Sequence, residues 1–189
     1  GDKGLCGAYN HNVLKLAEEQ LADAYDPTLF IVGQAGRTWF SHRSIRVDGE
    51  FMYTAQNPTV TRAREISDVC LPLFRNGQLD EIFLIYTRMV NAMTMEPVAV
   101  KLLPLERGLF PAEDIPPQRF SETVKYVPSE KEVMDRLVPI YLSGMIFGAL
   151  VESFCSEQNA RMTAMNASSK NAREMLKTLN LTYNRARQA

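Results

Sequence analysis

Apolar positions three and four apart in NHNVLKLAEEQLADAY (Val13, Leu14, Leu16, Ala17, Leu21, Ala24) predict an opening helix, which Asp26-Pro27 ends. TLFIVG is a continuous apolar run closed by Gly33, the pattern of a strand buried on both faces of a parallel sheet. GQAGRTWF reads as a loop, and RSIRVDGEFMY as a polar hairpin turning at Asp48-Gly49. PTVTRAREISDVCLPLFRNG predicts a second helix, with Pro58 near its start, Gly77 just past its end and Pro72 as a site for a kink. EIFLIYTRMV and EPVAVKLLPL are two more strands joined by a short loop, hence antiparallel neighbours, and ERGLFPAEDIPPQRFSE is a proline-rich surface loop. Ser129-x-x-Glu132, after Pro128, is a capping box that opens a short helix ending at Pro139. Pro139 then suits the first turn of a long helix running to Ala189.

That last helix sets the problem. Its 51 residues make a rod, roughly 75 Å long at the α-helical rise. The other two helices, about 20 residues each, span on the order of 30 Å, so most of the rod must project. Along it Met162, Met165, Ser169, Ala172, Leu176, Leu179, Tyr183 and Ala186 alternate by three and four residues. This is a seven-residue repeat, with small Ser169 and Ala172 permitting close approach of a partner helix. An amphipathic helix within a bundle would show the same spacing, but no second helix here is long enough to cover it. The partner of the seam is therefore expected to be another polypeptide or a part of the parent protein outside these residues.

Strand and helix alternate, which argues an α/β body with an antiparallel extension, a Rossmann-like mixed sheet at residues 1–128, and a short helix plus shaft at 129–189. The 189 residues are 46% apolar and 23% charged, enough for one domain with a real core. No uninterrupted apolar run approaches the length of a membrane span, and the start GDKGLCGAYN has no signal-peptide pattern, so a soluble chain without direct membrane insertion is expected. Cys6, Cys70 and Cys155 are odd in number and far apart, which disfavours a disulfide framework or a metal site and favours a reducing compartment.

The net charge of −1 conceals an asymmetry. Residues 158–189 hold six basic side chains (Arg161, Lys170, Arg173, Lys177, Arg185, Arg187) and one acid, Glu174, a net of +5. The remainder, with 15 basic and 21 acidic residues, stands at −6. None of the six basic residues lies on the seam. Aromatic residues are absent from 155–189 except for Tyr183, itself on the seam, so a stacking platform for nucleic acid is not expected. No phosphate-cradling glycine motif occurs, and no nucleotide or other cofactor is expected on this chain. Gly4-Leu5-Cys6-Gly7-Ala8 has the small residues of a nucleophile elbow, so a free-standing α/β enzyme using Cys6, with the long helix for dimerisation, stands as the alternative. His11 follows on a helix and is not expected to face Cys6, and His42 lies in a loop. A tight strand-to-helix turn is the plainer reading.

Three blocks, GLCGAYNHNV, DEIFLIYTRMVNAMTMEPVAVKLLPL and SEQNARMTAMNASSKNAREMLKTLNLTYNRARQA, occur in the order found in γ subunits of F-type ATP synthases, which the whole chain resembles. The resemblance implies a non-catalytic rotor subunit. In that family an N-terminal helix, absent here, pairs with the C-terminal helix as an antiparallel coiled coil that turns inside the ring of α and β subunits. It implies further contacts with the ε subunit and the membrane c-ring, and a peripheral place on the cytoplasmic face of a bacterial membrane. Arg161 in ARM, and Arg187 with Gln188 in RARQA, match family positions that contact the catalytic subunits.

Overall fold

The computed structural model describes residues 1, 3–41, 43, 45–51, 55–91, 94–105, 127 and 129–188. The proline-rich stretch at 106–122, His42, Pro128 and Ala189 lie outside the described residues. The order is α1 (Tyr9–Ala22), β1 (Thr28–Val32), α2 (Gln34–Phe40), β2 (Arg46–Phe51), α3 (Val60–Arg75), β3 (Ile82–Met89), β4 (Met95–Leu103) and α4 (Glu130–Gln188).

The strands form two ladders, β1 with β2 in parallel and β3 with β4 antiparallel, the latter as the short loop implied. The hairpin at Asp48-Gly49 does not form: β2 runs straight through it. Leu29 pairs with Val47 and Phe30 with Gly49, which makes Asp48 the extra residue of a bulge. Turn-forming residues inside a strand serve this purpose when the partner is parallel and must be reached by a crossover rather than a tight turn. The crossover contains α2, a helix in the segment expected to be a loop; its Phe40 is buried beneath the sheet.

Side chains alternate between two cores. Phe30 and Val32 of β1, with Ile82 and Leu84 of β3, pack into a core with Ala63, Ile66, Cys70 and Leu71 of α3 and Leu142, Ile146 and Leu150 of α4. Leu29, Ile31 and Ile85 point the other way, toward Leu14 and Ala17 of α1 and Phe40 of α2. Helices thus cover both faces, a three-layer arrangement. Both faces of β1 are covered, as expected, but only Ile31 is fully buried; Leu29, Phe30 and Val32 are half-buried. Between β1 and β3, each with one strand partner among the described residues, lies a cavity of about 910 Å³ that takes the place of a neighbouring strand's burial.

Helix α1 stops at Ala22, before the expected Asp26-Pro27 end, and α3 is capped at both ends. Thr59 Oγ1 accepts the Arg62 amide at 3.3 Å to start α3. At its end Gly77, at φ 69°, donates to Phe74 O, and Gln78 N donates to Leu73 O, the paired bonds that need a left-handed residue after the cap. Pro72 does not interrupt α3. Nor does Pro139 divide a short helix from a long one: α4 is one helix of 59 residues, opened by Ser129 accepting the Glu132 amide. A proline at 139 leaves the carbonyl of Asp135 without its helical donor. Arg75 of α3 supplies one, donating to Asp135 O at 3.4 Å and to Asp135 Oδ1 at 3.1 Å.

Candidate functional site

Helix α4 changes character along its length. Its first half is a seat: Leu142, Ile146, Ala149 and Leu150 are buried against α3 and the strands. One 18-residue window of α4 reaches a mean hydropathy of 1.6, long and apolar enough by composition to cross a membrane. That segment was not expected, because its apolar residues are interrupted and not contiguous; in the fold its inner face forms the core.

Next comes a polar stretch. Tyr9 Oη donates to Ser153 O at 3.0 Å, and Ser156 Oγ, fully buried, donates to Thr87 O at 3.4 Å. Burial pushes the Tyr9 phenol up to about 12, partly opposed by its bond to Ser153 and reinforced by the Glu157 carboxylate. Burial likewise raises the Cys70 thiol to about 11. Both groups are held neutral by the fold while the unfolded chain ionises sooner. Their contribution is therefore complete below the unfolded values and is lost as pH rises through the folded ones. Unfolding free energy measured in urea is expected to hold level up to about pH 8 and to fall between about pH 8 and 12. The part due to Tyr9, on the order of 2 kcal/mol, should vanish in Tyr9→Phe. An alkaline limb unchanged in that variant would place the loss elsewhere.

Arg161 closes this stretch. Its Nη2 pairs with Glu157 Oε1 at 2.6 Å and reaches Lys3 O at 3.4 Å; Nε donates to Gly4 O at 3.2 Å and Nη1 to Gln158 Oε1 at 3.0 Å. The Arg161 side chain is only 16% exposed and that of Glu157 7%. The sequence reading singled out Arg161 but missed Glu157; the spacing of four residues on a helix was the available signal.

Beyond Ala164 every described residue of α4 is exposed. On the seam Met162, Met165, Leu176, Leu179 and Tyr183 stand 48–64% exposed, with Ser169, Ala172 and Ala186 between them. Arg187 and Gln188, in the last turn, are exposed as well. Seven-residue spacing holds the seam on one side of the rod; Lys170, Lys177 and Arg185 stand away from it, while Arg173 and Arg187 flank it.

Cys6 sits in the turn before α1, buried, with Asn10 Nδ2 donating to its sulfur at 3.3 Å and its own thiol 3.7 Å from Lys3 O. His11 packs edge-on against Trp39 at 5.9 Å between ring centroids. The described residues bring no histidine to Cys6, and they contain no group of three metal-ligating side chains.

Comparison with known proteins gives the same answer from several sides. A family model described as ATP synthase matches residues 1–189. The ATP synthase gamma chain of Ruminiclostridium cellulolyticum is 47% identical over 192 residues, covering 100% of this chain and 65% of that protein. The sodium-ion-specific gamma chain of Acetobacterium woodii is 36% identical, covering 100% of this chain and 67% of its own length. This chain thus spans about two thirds of the length of the curated relatives it matches. Among solved structures, the central stalk and c-ring of the Tetrahymena thermophila mitochondrial ATP synthase matches with a TM-score of 0.67 at 22% identity, over 89% of this chain and 73% of that one. The rotor of the Euglena gracilis mitochondrial enzyme matches with a TM-score of 0.65 at 18% identity, over 99% and 70%. An α/β body from which one long helix departs with an uncovered seam, and a match along its full length, place this chain in the ATP synthase gamma chain family.

Proposed function

We propose that this chain is the body and one helical strand of the central shaft of a rotary ATP synthase, a non-catalytic part that couples ion-driven rotation to ATP synthesis or hydrolysis. The observation that carries the reading is the exposed seven-residue seam on a helix whose other half is anchored in an α/β core. An apolar seam of that length in water calls for a partner helix, and an antiparallel coiled coil with a helix from outside these residues supplies it. Division of labour follows: residues 1–128 as the body, 129–189 as the helix that is seated in it and then becomes the shaft. The two ladders are read as parts of one Rossmann-like mixed sheet, because β1 and β3 send alternate side chains into the same two cores and line the cavity between them. A further strand from outside these residues would join them.

The partners of this reading are the α and β subunits around the shaft, and the ε subunit and c-ring at the body, with the protein peripheral on the cytoplasmic face of the membrane. No cofactor is required of the chain itself. A stiff rod with unlike faces is what such a machine needs, since each orientation must favour a different conformation of the surrounding subunits. Here the seam is apolar and the basic side chains lie off it. The alternative, catalysis by Cys6, is disfavoured by a buried sulfur with an amide and a carbonyl around it in place of a base.

Arg187 and Gln188 are proposed to face the catalytic ring; Arg161, expected there as well, directs its guanidinium to Lys3 O, Gly4 O and Glu157 of the body instead. Arg187→Lys keeps the charge and loses the planar fork that holds a carboxylate through two bonds. In the full-length subunit, Arg187→Lys with Gln188→Ala is expected to lower ATP turnover per assembled complex several-fold while leaving its thermal stability unchanged. Activity and stability falling in proportion would make these residues packing elements; unchanged activity would leave them as surface.

A further inference from the structure

We propose that Glu157 and Arg161 form a rotational lock, fixing the azimuth of the shaft helix against the α/β body so that the two turn as one piece. The inference rests on the shaft reading above. The seat at Leu142, Ile146, Ala149 and Leu150 is apolar. Apolar burial is non-directional, so the contacts of the seat by themselves define the azimuth of α4 less sharply than hydrogen bonds do. Hydrogen bonds weaken steeply with misalignment, and a guanidinium fixes several in one plane. Arg161 makes such a set at the point where the helix leaves the body, donating to two consecutive carbonyls, Lys3 and Gly4, while Glu157 holds the same guanidinium.

The acceptors are themselves held. Lys3 O also faces the Cys6 thiol and Asn10 Nδ2, the Tyr9 amide donates to Cys6 O, and the turn passes through left-handed Leu5 and Gly7 at φ 63° and 58°. Tyr9 to Ser153 and Ser156 to Thr87 add two directional bonds within the preceding turns. A buried ion pair contributes little net stability, because desolvation offsets its attraction; its well-attested use is to set register. A register device belongs where twist concentrates, between the anchored and the free parts of the rod.

The test uses the full-length subunit assembled into the ATP synthase in sealed vesicles, reading ion pumping per ATP hydrolysed. Arg161→Met and Glu157→Gln are each expected to lower that ratio about threefold or more with the complex still assembled and hydrolysing ATP. A second variant restores the geometry without the charge: Gly4→Cys with Arg161→Cys, in a Cys155→Ser background, joined by a short bismaleimide. Open space around Gly4 accommodates the new side chain. Linking should return pumping per ATP toward the parent value, which neither a contact of Arg161 with another subunit nor a loss of packing would produce. Coupling that stays low after linking, normal coupling in Arg161→Met, or failure of both single variants to assemble overturns the lock. Failure of the unmodified full-length subunit to assemble into a pumping complex sinks the shaft reading instead.

Discussion

Leu179→Asp, or Leu176→Asp, is expected to leave the isolated chain's stability within about 0.5 kcal/mol of the parent and to abolish assembly of the full-length subunit into a coupled complex. Both leucines are more than 60% exposed here, so an aspartate in their place remains hydrated until a partner helix arrives. Once paired, the carboxylate must be desolvated against apolar neighbours, at a cost of several kcal/mol. Neighbouring seam positions cannot offset this: Ser169 and Ala172 contribute little apolar area, so Leu176 and Leu179 are the principal anchors of that stretch. The measurement is recovery of the complete complex, set beside urea unfolding of the subunit alone. Normal assembly and coupling by both variants would remove the seam from the shaft.

Leu142→Ala is expected to act in the opposite place, lowering the stability of the subunit by about 3 kcal/mol. Leu142 is 2% exposed and lies where α4 meets α3 and the strands. Truncation removes buried methyl groups and leaves a void that a seat fixed by a 59-residue helix is poorly able to close. The urea midpoint of the full-length subunit should fall with its denaturant slope unchanged. A change below 1 kcal/mol would mean that the cavity beside Leu142 lets the region collapse around the smaller side chain. Together the two substitutions separate the halves of α4: one matters only to assembly, the other to folding itself.

Periodicity made the long helix and its seam legible, because a seven-residue repeat depends only on the geometry of one helix. Capping signals were equally direct at Ser129 and Gly77, where a side chain or a left-handed residue acts within four positions of itself; the Thr59 cap of α3 went unread beside Pro58. The antiparallel β3–β4 pair followed from a short connection. The three blocks from GLCGAYN to NRARQA pointed to the family for another reason: they are side-chain patterns read in order, independent of how the fold is reached.

Long-range geometry decided the rest. Asp48-Gly49 carries the same local signal for a turn and for a bulge, and only the parallel partner β1 selects the bulge. Pro139 reads as a helix boundary until Arg75, 60 residues away in sequence and 3.4 Å away in space, supplies the donor that the orphaned Asp135 carbonyl needs. Arg161 reads as a contact for the catalytic subunits on the basic helix, yet the fold brings Lys3 and Gly4 to it across more than 150 residues. The sequence by itself determined α1, α3, β1, β3, β4, the long helix and the face of it that must find a partner, since each is set by residues within a few turns. Where α4 is gripped, and at what angle it leaves the body, was decided only by tertiary structure, because hydrogen-bond partners brought together from distant segments leave no period in the chain.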